Sequence, residues 1–563
     1  MALYMPHYKL PPNTPRDMTK VALLVILSVV CTFFSGFQSV AICSWLQPFF
    51  LLHFFHKSGI SHNFCSWSSA ALTILLALIL HTTAASLAFL AFFPGKVSPD
   101  NSKASSVPIV GIIWALALWM FLLLPFLASI GYRKRFDRAR TSQPLVFASI
   151  WTTAWLLWNR FGGVGSFLHP AVSQVTILPL VMSAGVWGID GIAFLMAWFS
   201  AILHDRAVLN ENLSKMEKSD KKRAMQLHRG HSLAFGAIAF SILFYGSARV
   251  SIFSGDFFQK DIALTMKKTV PVSCVLGKVL FYEDMDVMLN RTRQRLRAGD
   301  RLVLWSEAAV KLDLKQERDS LQFKAGQIAS QHGAYVGITY EYKDASVGNY
   351  FDLVLPDGSI GFSYRKSHLV PFMEWYGTPG DPILPAIKTE LGRIGGAICY
   401  DFEFPDLMRQ AGKKRIDIML QPAATWGASG PWAKEADAFR VVENGFSWFR
   451  CSTGGVSAVV DPYLQTFDYR EGISDSVFAM ALPVLGKAWT LYPSYGFLFA
   501  WLVAALAAVH VSMLCLHLGA VTYILDKSPP AFVFYITGDR SFKEFERSEL
   551  RCVLLPEESS VHV

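Results

Sequence analysis

Charge is scarce in this chain: Asp, Glu, Lys and Arg make up 17% of its 563 residues, against 52% hydrophobic residues. So little charge excludes an ordinary soluble multidomain protein. Metal-ligand spacing is also lacking. The eight cysteines (Cys31, Cys43, Cys65, Cys274, Cys399, Cys451, Cys515 and Cys552) form no CxxC pair and no Cys/His cluster. Zinc sites and disulfide scaffolds are therefore poor readings, and neither a metal nor another cofactor is expected. Solenoid repeats and long low-complexity tracts are missing as well. The formal charge of +9 raises nucleic acid as a partner. Much of that surplus lies in short runs beside apolar segments, where basic residues mark the cytoplasmic face of a membrane. The expected partner is a bilayer, not nucleic acid.

What the chain has instead is a series of apolar segments. A bilayer core about 30 Å thick requires roughly 20 apolar residues per helix, with shorter spans tolerated. Seven candidates precede a more polar region: Val21 to Phe34, Phe37 to Phe55, Ser68 to Phe93, Pro108 to Gly131, Leu145 to Trp158, Val175 to His204 and Ser232 to Val250. The first two are separated only by Ser35 and Gly36, and one long broken helix is an alternative there. An eighth runs from about Tyr495 to Leu518. The basic, apolar start resembles a secretory signal, but no small-residue cleavage site follows and further spans do, so a retained helix is expected.

Charge tests this count. With eight spans, 21 Lys and Arg fall in the two termini and the loops at 56 to 67, 132 to 144 and 205 to 231, against 3 in the alternate loops at 94 to 107 and 159 to 174. Basic residues accumulate on the side that is not translocated. Both termini are therefore expected in the cytoplasm, with the large polar region on the opposite, extracytoplasmic side. The run from Lys215 to Arg223 reads as a solvated cytoplasmic loop. The expected division is a cytoplasmic segment at 1–20, a membrane domain at 21–250, an extracytoplasmic domain at 251–494, a final span at 495–518 and a cytoplasmic tail at 519–563.

Within 251–494 the texture changes to short apolar runs: IALTM, RLVLW, AYVGITY, FDLVL, IGGAI, IDIML and VSAVV. These read as buried strands. Helix-like stretches lie between several of them, at Asp284 to Ala298, Lys315 to Gln331 and Ala433 to Asn444. Strands alternating with helices imply an α/β domain of layered sheets and helices, and about 230 residues suffice for one large core.

Three residues in this domain carry a chemical suggestion. Cys399 follows the strand-like run RIGGAI, so a turn there can expose its sulfur at a sheet edge. A free thiol is only partly ionised near neutral pH and needs a base or a positive neighbour. Glu307, near the end of RLVLW, is a candidate proton acceptor. Lys366 is a candidate for stabilising a developing oxyanion. Each has a plainer reading: Cys399 as core packing, Glu307 and Lys366 as a structural ion pair or exposed charges. Spacing alone does not choose between them.

At these residues the sequence resembles the nitrilase, or carbon-nitrogen hydrolase, superfamily, whose members use a Glu, Lys, Cys triad on a four-layer αββα sandwich. The match is narrower still. KSHLVPFMEW, ICYDFEFP, ATWGASGP and STGGVSAVVDP resemble segments of the apolipoprotein N-acyltransferase family, and PLVMSAGVWGIDGIAFLMAWFSAIL and TLYPSYGFLFAW resemble its late membrane helices. That resemblance implies a multi-pass α-helical bundle carrying an α/β nitrilase-like αββα sandwich. It makes Glu307 the general base, Lys366 the oxyanion stabiliser and Cys399 the acylated nucleophile. Glu374 matches a second glutamate that orients the site, and Tyr400 and Trp426 match residues lining the substrate mouth. The implied partners are a phospholipid acyl donor and an amine-bearing acceptor such as a lipoprotein amino terminus.

Three departures stand out: Asp401 replaces the glutamate that usually follows CY, Ser306 a proline, and Met373 a glycine. They leave the triad types intact and bear on recognition of the acceptor. A membrane-tethered amidase using the same triad is the competing function, and a noncatalytic receptor or scaffold is a third. Asn290 in NRT is a glycosylation sequon on the expected extracytoplasmic side.

Overall fold

The computed structural model describes residues 18–36, 39–58, 67–92, 106–135, 143–254, 268–278, 282–343, 345–371, 373–425, 429–464, 466–472, 476–484 and 488–527. All eight expected spans are helical: α1 (Met18–Ser35), α2 (Ala41–Lys57), α3 (Trp67–Phe92), α4 (Ser106–Arg135), α5 (Gln143–Phe161), α6 (Ala184–Asn212), α7 (Lys218–Ser254) and, after the polar domain, the long helix Phe497–Lys527. Among the described residues, six helices are long and apolar enough to cross a membrane. The other two, α2 and α5, have 17 and 19 residues and bury much of their surface within the bundle. This is an integral membrane protein.

Three of the expected segments are refined by the structure. The first two are separate helices, as expected, and not one long broken helix, with backbone bonds from Ser39 N to Gly36 O and Val40 N to Phe34 O. The stretch beginning at Lys215 is not a loop throughout, because from Lys218 it forms the first turns of α7, whose 37 residues extend roughly 55 Å. A third difference concerns Val175 to His204. Its start folds as short helical turns at Pro170–Gln174 and Leu178–Val181, and α6 begins only at Ala184. Within α6 the helix breaks at Gly188, whose φ is +74° and where a Cβ would meet the Tyr492 ring at 2.4 Å. Only glycine fits that conformation and that contact. The break frees the Ile189 N–H, which donates to Glu443 of the polar domain at 3.0 Å.

That domain is two sheets face to face. One has the order β13-β1-β2-β4-β5-β6 with β3 beside β4, the other β12-β11-β10-β9-β8-β7. The strands are β1 (Lys268–Val275), β2 (Leu302–Trp305), β3 (Val310–Leu312), β4 (Tyr335–Lys343), β5 (Val347–Val354), β6 (Ile360–Arg365), β7 (Ala386–Thr389), β8 (Gly392–Gly396), β9 (Ile418–Ala424), β10 (Ser447–Thr453), β11 (Gly455–Val460), β12 (Thr466–Gly472) and β13 (Val477–Val484). Strand β2 shows why four consecutive apolar residues fit. Leu302 and Leu304 enter the core between the sheets, while Val303 and Trp305 face the outer helices, the period-two alternation of a strand covered on both sides.

Those outer helices are α8 (Met285–Arg297) and α9 (Lys315–His332). Helix α8 starts where Asp284 accepts from the Asp286 and Val287 N–H groups, and α9 ends at Gly333 with φ +59°. On the other sheet lie α10 (Pro405–Lys413) and α11 (Ser429–Asn444), completing an αββα sandwich. The long final helix is α12 (Phe497–Lys527). The run IALTM lies outside the described residues. Asn290 sits on the exposed face of α8.

The sandwich is fixed to the bundle by a shared core. Trp432, Ala436, Phe439 and Val442 of α11 join the same hydrophobic cluster as Trp155, Val172 and Ile189. The two sheets are also joined covalently, which the cysteine spacing did not foretell. Cys274 of β1 and Cys451 of β10, 177 residues apart and both fully buried, form a disulfide with Cα atoms 5.2 Å apart. Cys399 remains a free thiol.

Candidate active site

Strand ends from both sheets place the three candidate residues together. Glu307 follows β2, Lys366 follows β6, and Cys399 opens the tight turn Cys399–Glu403 just beyond β8. Cys399 has φ +46°, a left-handed conformation uncommon for a residue with a side chain. Ala308, next to Glu307, shares it at +46°. Two of the left-handed non-glycine residues thus lie at the proposed nucleophile and directly after the proposed base, with others at Ser39, Leu168, Arg415 and Leu464.

Lys366, 1% exposed, is the hub: its Nζ donates to Glu307 Oε1 at 2.7 Å and to Glu374 Oε1 at 2.8 Å. Glu307 is held from two further directions, by Asn349 Nδ2 at 2.9 Å and by the Ala424 N–H at 2.8 Å. Glu374 takes the Val370 N–H at 2.6 Å. The Cys399 sulfur lies 3.5 Å from the Ala424 carbonyl. Ala424 therefore touches base and nucleophile from opposite ends of one residue.

The electrostatics follow from two carboxylates around one ammonium. Burial works against the Lys366 charge, but Glu307, Glu374 and Cys399 hold it well above the ordinary lysine value. Burial, then the Glu307 charge, push the Cys399 thiol well up, only partly opposed by Lys366 and Arg450. Glu374 is raised by burial and by Glu307 against the pull of Lys366. The resting site is accordingly a thiol beside a permanent cation, and Glu374 holds a proton more readily than a free glutamate does.

Asp401 lies behind this group and is fully buried. Its Oδ1 accepts from Ser367 N and Oγ and from His368 N, and its Oδ2 from Tyr364 Oη and Ile398 N, at 2.8 to 3.2 Å. The short carboxylate thus ties the loop after Lys366 to the turn carrying Cys399. Tyr400 donates to the Val164 carbonyl at 3.2 Å and meets the Phe167 ring. Trp426 lies outside the described residues. Ser306 is fully buried and bonds Thr453 Oγ1 at 2.7 Å.

Several residues in contact with this group escaped the sequence reading. Asn349 carries no local motif, and only the β5 register reveals its bond to Glu307. Gln421 donates to the Cys399 carbonyl at 3.0 Å and to Asp437, which in turn receives Arg450 Nη1 at 2.5 Å. Glu403, four residues after Cys399, stood in plain view in ICYDFEFP. Its carboxylate accepts from Ser166 Oγ at 2.8 Å, and its carbonyl from the Ser166 N–H at 2.6 Å. The loop after α5 is thereby bound to the turn that carries Cys399.

Burial and the neighbouring Asp437 raise the Glu403 carboxyl to about 8. An acid raised in the folded state contributes stability that is complete below its unfolded value near 4.5 and is lost as pH rises to about 8. Glu403→Gln is expected to flatten that decline, gaining roughly 4 kcal/mol on wild type at pH 8.5 relative to pH 5. Thermal unfolding across this pH range checks it; parallel curves for the two proteins would refute it.

A single cavity of about 1080 Å³ joins the site to the bundle. Glu307, Lys366 and Cys399 line it at one side, and Gln47, Phe89, Trp114 and Leu122 of the membrane helices at the other. Among the described residues no group of His, Cys, Asp and Glu is arranged to hold a metal ion. A buried thiol with a carboxylate and an ammonium fits acyl chemistry by covalent attack.

Residues 305–469 match the carbon-nitrogen hydrolase family model, and the chain carries an enzyme domain of that superfamily. Its likeness to apolipoprotein N-acyltransferases reaches further. That of Rickettsia prowazekii is 25% identical over 403 residues, covering 63% of this chain and 74% of that protein. That of Geobacter metallireducens is 24% identical over 366 residues, covering 60% and 67%. An alignment of 403 residues extends well outside the hydrolase domain, so the resemblance to the apolipoprotein N-acyltransferase family includes membrane helices. Mouse deaminated glutathione amidase is 37% identical over 83 residues, 13% of this chain and 26% of that one. A solved amidase from Nesterenkonia sp. aligns at 20% identity with a TM-score of 0.35, covering 41% of this chain and 94% of that one.

Proposed function

We propose that the protein is a membrane N-acyltransferase that moves an acyl chain from a phospholipid, through a thioester on Cys399, to an amine. The observation that carries this reading is the cavity running from the triad into the helices. A soluble amide substrate has no need of a chamber walled by membrane helices. An acyl chain does.

Glu307 takes the thiol proton as the Cys399 sulfur attacks the ester carbonyl carbon. Lys366 faces the negative charge that develops on the carbonyl oxygen. The carbon–oxygen bond breaks, and the departing lysophospholipid alkoxide receives the proton. An amine nitrogen then attacks the thioester, the carbon–sulfur bond breaks, and the proton lost from nitrogen passes through Glu307 back to sulfur. Water competes for the thioester, so amide formation depends on holding the amine and limiting water. A lipoprotein amino terminus is the acceptor that the relatives' name brings to this chain.

In this reading residues 251–494 form the catalytic domain, facing away from the cytoplasm, with both termini on the cytoplasmic side. The basic-residue asymmetry supports that orientation, and so does the Cys274–Cys451 disulfide, a bond at home in oxidising compartments.

The amidase reading rests on the hydrolase domain itself, since one triad serves both reactions. Purified enzyme given phospholipid with an amine acceptor, and separately simple amides, decides between them. Lysophospholipid and N-acyl product are expected. Ammonia from amides without lysophospholipid would favour hydrolysis.

A further inference from the structure

The cavity wall beside the triad holds a charge that nothing in the reaction above uses. Glu341 lies on β4, lines the cavity and is only 9% exposed. Among the described residues no Lys, Arg or His lies within 4 Å of its carboxylate; Lys311, its neighbour across β3, instead places its ammonium over the outer Tyr282 ring at 5.9 Å, and the hydrogen bonds to Glu341 come from phenols, Tyr282 and, at 3.5 Å, Tyr376 Oη. Lys278, which lines the same cavity, is engaged elsewhere, 2.9 Å from Glu283. A buried carboxylate lacking a counter-ion is costly, and a bound cation is what offsets that cost.

The surroundings suit a particular cation. Tyr282, Trp375 and Tyr376 line the cavity with Glu341, and aromatic faces attract ammonium groups. Burial and the Glu341 charge push both tyrosine phenols up, so they remain neutral donors. Position matters as much. Glu341 pairs across the sheet with Asn349, which donates to the proposed base Glu307, and opposite residues in such a ladder lie about 5 Å apart.

We infer that Glu341, walled by Tyr282, Trp375 and Tyr376, is a binding site for the primary ammonium group of a lipid-borne substrate. This rests on the acyl-transfer reading for its physiological role. Two groups share the chemistry: the headgroup ammonium of the donor lipid and the amino group of the acceptor. Held one cross-strand pair and one hydrogen bond from Glu307, through Asn349, either is brought to the edge of the reacting centre.

Two measurements on the full-length protein test it. In Cys399→Ala enzyme, octylamine and octanol binding are measured by calorimetry, with and without Glu341→Gln. Octylamine, bound as its cation, is expected to bind about tenfold more weakly in the Gln variant, with a much smaller change for octanol. Tyr282→Leu should act in the same direction and serves if the Gln variant does not fold. Equal effects on both ligands, or none on either, overturn the site.

Active enzyme then identifies the source. A fall in the rate with phosphatidylethanolamine relative to phosphatidylglycerol in the Gln variant assigns the headgroup. A fall in transfer to a peptide amine relative to water assigns the acceptor. No change in either ratio overturns the role in turnover. Wild-type enzyme that releases no lysophospholipid from either lipid defeats the acyl-transfer reading alone, and calorimetry still decides on the site.

Discussion

Cys399→Ser enzyme is expected to release lysophospholipid on the order of 10⁴-fold more slowly than wild type, and to carry no lipid-derived thioester in intact-protein mass spectra. The size of the loss follows from the shape of the site. The left-handed turn at Cys399 holds the one sulfur that the proposed reaction uses, and oxygen in its place is a far weaker acid in a pocket that already opposes ionisation. Serine keeps the backbone geometry, so a lost fold does not explain the result. A wild-type adduct that persists undiminished in the variant would remove Cys399 as nucleophile.

Lys366→Met is expected to lose about 10²- to 10³-fold in rate and about 3 to 5 kcal/mol in stability. Both losses have one cause. The 1% exposed ammonium lies within 2.8 Å of two carboxylates, and deleting it leaves Glu307 and Glu374 buried, close and uncompensated. Adding Glu374→Gln to the Met variant removes one of those charges. The double variant should recover stability toward wild type while remaining inactive. Thermal unfolding beside lysophospholipid assays separates the two effects, and a single variant as stable as wild type would show the trio to be loosely coupled.

Much of this was legible in the chain. The strand runs around Leu302, Tyr335, Phe351, Ile394, Ile418 and Val456 are continuous apolar stretches because both sheets are covered on both faces, and the structure places strands at each. Helices α8 and α9 carried their stop signals openly, as Arg295 and Arg297 in one last turn and Gly333 after the other. The triad types were visible through family resemblance, while the structure adds their convergence.

What stayed hidden is what depends on pairing at long range. Strand β1 contains Pro271, which speaks against a central strand, yet it lies between β13 and β2. The partner of Cys274 stands 177 residues away, and no local spacing announces it. Asn349 and Glu341 acquire meaning only when β4 and β5 are laid side by side. Asp401 read from its neighbours as either a substrate residue or a support of the site, and its burial beneath the Lys366 loop is a product of the fold.

The bond from Ile189 N–H to Glu443 and the clasp between Ser166 and Glu403 have a practical consequence. Cut free of its helices, the sandwich would expose Trp432 and Phe439 to water and leave the turn beneath its reactive sulfur unbraced. Half of the wall around that sulfur would be gone as well. Unlike a free-standing amidase, this protein is not divisible at the bilayer surface: the lipid-embedded half forms part of the cavity wall, and truncation there should yield an insoluble fragment instead of a smaller catalyst.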